Sequence, residues 1–172
     1  MRGCWPSRPL ISAVVIAEER SRAIGAYLRH LPDTVAESPG YRLMPGVEDL
    51  LDRLIDSGLL LGLVTGNIEA AAHIKLSRGN LNRFFCFGGY GSDSSDRTEV
   101  TEAALRRASL VSGGSLGEGA CFSVGDTPRD VRAGHGAGIP VVGVATGSYG
   151  VDELREAGAD WAIETVEDGF PA

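Results

Sequence analysis

The chain has 172 residues, 43% hydrophobic and 23% charged, with 24 glycines and a formal net charge of -7. That length suits one domain with a sizeable core and hardly two. The acidic balance argues against nucleic acid as a partner, because phosphate backbones reward clustered Lys and Arg. The longest nearly uninterrupted apolar run, Leu10–Ala17, is too short to span a bilayer. Three cysteines without a CxxC pair fit a reducing compartment, so a cytoplasmic protein with no membrane partner is expected.

Val14, Val15 and Ile16 favour a strand over Leu10–Ala17, which also fits the front of a longer helix. The spacing of Ile24, Tyr27, Leu28 and Leu31 predicts a helix over Ser21–Leu31, closed by Pro32. Ser38-Pro39-Gly40 reads as a turn and opens a core running from 41 to 172, with 1–40 as a separate N-terminal segment. Leu50, Leu51, Leu54 and Ile55 share a helical face, stopped by Gly58. Residues 59–64 read as a buried strand ended by Thr65-Gly66-Asn67, and Ile68, Ala71, Ala72 and Leu76 mark the next helix. A short strand over Phe84–Phe87, a polar loop over Gly88–Asp96 and a helix over Val100–Leu110 follow. Ala120–Val124 is a further strand, ended by Gly125-Asp126-Thr127. The rest alternates: helix over Asp130–Ala137, strand over Pro140–Ala145, helix over Val151–Ala157 and an edge strand over Trp161–Ile163.

Strands that are apolar throughout belong in a parallel sheet covered by helices on both faces. The expected fold is therefore a doubly wound, Rossmann-like α/β domain, whose ligands bind at the carboxyl ends of the strands. Two motifs fall at such ends. Asp126 and Asp130 can share one hard cation, Mg²⁺ being the candidate; alternatively Asp126 caps the following helix and Asp130 sits in its first turn. Thr65-Gly66-Asn67 offers a hydroxyl and free N–H groups to an anion at a helix N-terminus, or else an ordinary helix cap. Arg97 can hold a phosphate oxygen, or be a solvated arginine beside Asp93 and Asp96. No GxSxG elbow, Walker loop or GxGxxG occurs.

These motifs in this order resemble the haloacid dehalogenase superfamily, especially its phosphoglycolate-phosphatase-like members. The matching stretches are Pro45–Leu51, Leu63–Asn67, Ser92–Arg97, Val124–Asp130, Ala145–Tyr149 and Ala157–Asp160. The resemblance implies phosphate-monoester hydrolysis through an aspartyl-phosphate, formed by an Asp after the first strand, on a small phosphorylated metabolite. It further implies that Thr65, Gly66, Asn67 and Arg97 hold the phosphate, with Thr65 and Arg97 as catalytic groups. Asp126 would ligate Mg²⁺, and Asp130 would support that site directly or through water.

The family's opening Asp-x-Asp-Gly-Thr is absent, and no Asp precedes Asp33. Most of the family's cap is also missing, apart from a helix around Ser21–Leu31 resembling the cap's end. The expectation is a family member lacking its N-terminal part, with Leu10–Ala17 replacing the first strand as the competing reading. In this family that strand lies mid-sheet, between the strands ending at Thr65 and Asp126. The chain must then fill the slot with Leu10–Ala17, borrow a strand from another chain or fold poorly, since unpaired buried backbone groups cost ~1–3 kcal/mol each. Activity is expected to be impaired without the nucleophile, the alternative being a non-catalytic phosphate- and Mg²⁺-binding regulatory module.

Overall fold

The computed structural model describes residues 11–117 and 119–170, with the side chains of 11–17 left aside. The chain divides after Pro39 into a helical unit and the unit Gly40–Ala172. The first is one helix, α1 (Ile11–Glu37). Residues 11–17 are helical, so the strand predicted there does not form. Ala13 and Ala17, followed by Glu18, Glu19 and Arg20, are strong helix formers, and the four β-branched residues among 11–17 cost a helix only about 0.5 kcal/mol each. Pro32 does not close the helix either. It removes one ladder hydrogen bond, while close by the Thr34 hydroxyl donates to the His30 carbonyl at 2.9 Å.

The second unit alternates strands and helices much as the patterning predicts. It contains α2 (Val47–Asp56), β1 (Gly62–Thr65), α3 (Glu69–Ser77), a 3₁₀ turn (Leu81–Phe84) and β2 (Phe87–Tyr90). Then come α4 (Arg97–Ser112), β3 (Ser123–Gly125), α5 (Pro128–Gly136), β4 (Val141–Val144), α6 (Val151–Glu156) and β5 (Trp161–Ile163). Every pairing is parallel, and α4 and α5 pack directly on strands. The fold is a Rossmann-like α/β domain of the expected class.

β2 lies three residues beyond the strand expected at Phe84–Phe87. Leu81 and Phe84 instead bury themselves in the 3₁₀ turn, and Gly88-Gly89, read as loop, enter the sheet opposite Leu63 and Val64. The reason is packing: a Cβ on Gly89 would strike the Val100 carbonyl of α4. Only a residue without a side chain lets the helix backbone lie so close to the strand.

The strands form two separate sheets, β1–β2 and β3–β4–β5. Among the described residues nothing pairs with the free edges of β1 and β3, and residues 11–17, being helical, do not supply a central strand. The core of the larger sheet is Val131, Val141 and Leu154, each fully buried. No helix among the described residues is long and apolar enough to cross a membrane.

Gly89→Ala is expected to lower unfolding free energy by about 1–3 kcal/mol in urea titration, the usual range for overpacking. Gly25→Ala, in α1 with open space around the new methyl, should instead stabilise the helix by roughly 0.5–1 kcal/mol.

Candidate active site

The carboxyl ends of β1 and β3 are tied together by one side chain. Arg97 is the first residue of α4, whose cap is Asp96: its carboxylate accepts from the Thr98 and Glu99 N–H groups. That cap aims the guanidinium across the sheet. Nη2 donates to the Val64 carbonyl at 3.2 Å, and Nε and Nη2 reach Asp130 Oδ1 at 3.0 and 2.9 Å. Both partners are mostly buried, the side chains being 21% and 15% exposed, so the pair is shielded from the screening that weakens surface ion pairs. Gly66 lies next to the same guanidinium.

The solvated arginine considered from sequence is not what forms, because Asp93 and Asp96 are otherwise engaged. Asp93 takes a bidentate fork from Arg107 at 2.7 and 2.8 Å and accepts the Tyr90 N–H at 2.9 Å. The Arg107 guanidinium holds the Asp93 carboxyl well below the usual carboxylate range, at about 2. This fork pins the loop that leads from β2 into Arg97.

Thr65 ends β1. Its Oγ1 accepts from the Asn67 N–H at 3.1 Å and the Asn67 Nδ2 at 2.9 Å, leaving the hydroxyl hydrogen to donate outward. Neither residue caps α3: Ile68 holds that position and makes no side-chain cap. The first N–H groups of α3 therefore stay available beside Thr65 and Gly66. Asn67 is braced by Gly91, whose N–H donates to its carbonyl at 2.8 Å, and by Lys75, whose Nζ donates to Oδ1 at 2.7 Å. Lys75 was not singled out from sequence. It lies on α3 while Asn67 lies outside that helix, so no helical spacing links the two.

At the end of β3 the cap is Thr127, not Asp126. Thr127 Oγ1 accepts the Asp130 N–H at 3.2 Å and donates to Asp130 Oδ2 at 2.7 Å, with Pro128 at the start of α5. Both oxygens of Asp130 are thus engaged. Asp126 has no hydrogen bond or ion pair among the described residues, and its carboxylate lies over Gly147, where any Cβ would collide with it. No group of three or more His, Cys, Asp or Glu side chains among the described residues forms a metal cluster. Mg²⁺ characteristically takes one or two protein carboxylates and completes its shell with water and substrate oxygens. The unengaged Asp126, whose carboxylate lies where a side chain at position 147 would be, fits that habit; both oxygens of Asp130 already accept hydrogen bonds, from Arg97 and Thr127.

Thr65, Gly66, Asn67 and Arg97 are thus brought together around the end of β1. Asp130 joins them through Arg97, while Asp126 stands at the end of β3 against the loop after β4. The model of the haloacid dehalogenase-like hydrolases matches residues 5–144, more than half of the chain. The chain belongs to this family. It is 28% identical over 165 residues to a phosphoglycolate phosphatase of Synechococcus elongatus, covering 95% of this chain and 74% of that one. A phosphoglycolate phosphatase of Salmonella choleraesuis is 31% identical over 166 residues, covering 96% of this chain and 64% of that one. In structure, the chain resembles a predicted phosphatase from Clostridium acetobutylicum with a TM-score of 0.61 at 24% identity, over 73% of this chain and 57% of that one. The haloacid dehalogenase-like chain described here therefore spans about two thirds of the Salmonella relative's length.

Because Asp93 is held ionised by the fold, its contribution to stability is complete above the unfolded carboxylate's pKa of about 3.9. That contribution is lost as pH falls through about 2. Acid titration followed by circular dichroism should show this loss, and Asp93→Asn should remove the pH-dependent part between pH 4 and 2. Arg97→Met is expected to cost about 1–3 kcal/mol in urea unfolding, since it strips Asp130 of its cation and Val64 of a donor.

Proposed function

We propose that this chain carries the phosphate- and metal-binding face of a phosphate-monoester hydrolase of the phosphoglycolate-phosphatase type. The observation that carries the reading is the cluster at the end of β1. An outward-donating Thr65 hydroxyl, the uncapped N-terminus of α3 and the Arg97 guanidinium beside Gly66 all present positive character to one spot. A phosphoryl group of a small metabolite is the ligand that such donors recognise. Arg97 keeps its position through Asp130, so Asp130 acts by holding the arginine and not as a direct metal ligand.

Asp126 is the residue that would hold Mg²⁺, its carboxylate standing over Gly147 and without a hydrogen bond or ion pair among the described residues. When bound, that ion supplies positive charge to the phosphoryl oxygens, the main requirement in phosphoryl transfer. The two carboxylates at this end of the sheet are both accounted for in this reading. One orients Arg97 and the other faces the metal, which leaves neither as an attacking group. The 172-residue chain therefore binds a phosphate and does not turn it over by itself.

With Mg²⁺ present, p-nitrophenyl phosphate hydrolysis is expected to stay at the buffer rate, while inorganic phosphate binds in calorimetry. Thr65→Val should weaken that binding roughly 10-fold or more, as loss of a hydrogen bond to a charged group does at ~1.5–3 kcal/mol. Asp126→Asn should abolish its Mg²⁺ dependence. Phosphate binding indifferent to both substitutions would refute the assignment, and turnover sensitive to Asp126→Asn would refute the loss of activity.

A further inference from the structure

The side-chain amide of Asn67 can stand in two orientations, and only one of them leaves the Thr65 hydroxyl hydrogen free for a ligand. In the orientation that forms, Thr65 Oγ1 accepts from Asn67 Nδ2 at 2.9 Å and from the Asn67 N–H at 3.1 Å. Both lone pairs of the hydroxyl are then taken, so its hydrogen must be donated elsewhere. With the amide turned over, Oδ1 would face Thr65 and accept that hydrogen itself. A donor would be lost to any incoming anion. The main chain does not choose between the two, because the Gly91 N–H holds the Asn67 carbonyl at 2.8 Å in either case.

Lys75 makes the choice. Its Nζ lies 2.7 Å from the far end of the amide. An ammonium has three donors and no acceptor, so the atom it meets must be Oδ1, and Nδ2 is left to face Thr65.

The placement of this lysine is otherwise unfavourable. Lys75 belongs to the last turn of α3, where a cation gains by staying near the helix C-terminus. Its ammonium instead reaches Asn67, eight positions earlier and beyond the N-terminal end of the same helix. The positive end of the macrodipole lies there and opposes a cation. Among the described residues no carboxylate pairs with Lys75 to offset this.

We propose, building on the assignment of Thr65 to a phosphate, that Lys75 is a positioning residue for that anion. It acts through Asn67, whose amide it locks so that the Thr65 hydroxyl stays a donor, and not by touching the phosphate. Lys75 is exposed, so replacing it leaves the core untouched.

The test is a double-mutant cycle on the intact chain, with inorganic phosphate titrated in calorimetry in the presence of Mg²⁺. Lys75→Met is expected to weaken binding about fivefold or more in the parent chain and less than about twofold in the Thr65→Val background, since without a hydroxyl the amide has nothing to orient. Lys75→Arg, also a pure donor, should restore binding to within about twofold of the parent. Without phosphate, nuclear magnetic resonance should show the Asn67 Nδ2 hydrogens exchanging with water about threefold or more faster in Lys75→Met, and at the parent rate in Lys75→Arg. Equal losses in both backgrounds would mean that Lys75 acts as a bare charge, and would overturn the positioning role. Unchanged Nδ2 exchange, or phosphate binding indifferent to Lys75→Met, overturns it too. Thr65→Val binding phosphate as the parent does is a different failure: it removes the phosphate assignment itself, and the role of Lys75 falls with it.

Discussion

Arg97 bridges the two halves of this domain at their chemically important end. β1–β2 and β3–β4–β5 share no backbone hydrogen bond. The ends of β1 and β3 are linked by a guanidinium holding Val64 on one side and Asp130 on the other, beside the packing of α4 on α5 and a bond from Arg129 to the Ser95 carbonyl. A planar cation with several donors in a fixed fork can serve a carbonyl and a carboxylate together, whereas a lysine's rotating ammonium lacks that fixed geometry. Asp130 is fixed in turn by Thr127, which caps α5, and Arg97 by the Asp96 cap of α4. Two helix starts therefore set the position of one ion pair.

The same constraint shapes the site's chemistry. A guanidinium that spends its charge on Asp130 remains near Gly66 and can still offer donors to an incoming anion. Thr65 and the N-terminus of α3 add neutral donors, fixed before any ligand arrives. Such preorganisation is what makes a donor cluster effective toward phosphoryl oxygens. Asp126 is left as the unengaged carboxylate of the site, at the carboxyl end of β3 as Thr65 is at that of β1. Phosphate and metal functions thereby fall on different strands of one domain.

The open edges of β1 and β3 belong to the same picture. Parallel strands are stable when buried on both faces and paired on both edges, and β4, flanked by β3 and β5, meets those conditions with every residue buried. β1 and β3 do not meet them, and their partly exposed apolar residues record the difference. Arg97 satisfies one of the open carbonyls, which helps explain how the gap persists in a folded chain.

Much of this was legible in the amino-acid order. Apolar runs, glycine stops and helical spacing located five strands and most of the helices, because burial patterns are local and repeat with a fixed period. The motifs around Thr65 and Asp126 were visible because strand ends in such a fold are where ligands bind. Three features were not. Leu10–Ala17 is ambiguous by composition, and continuity with the helix formers after it makes residues 11–17 helical. Gly88-Gly89 read as loop, and only contact with α4 makes them strand. The partnership of Arg97 with Asp130 spans thirty-three residues, and which of several nearby carboxylates an arginine selects depends on where capped helices point it. Periodicity along a chain encodes which face is buried; it carries no term for the distance between two side chains that only folding brings together.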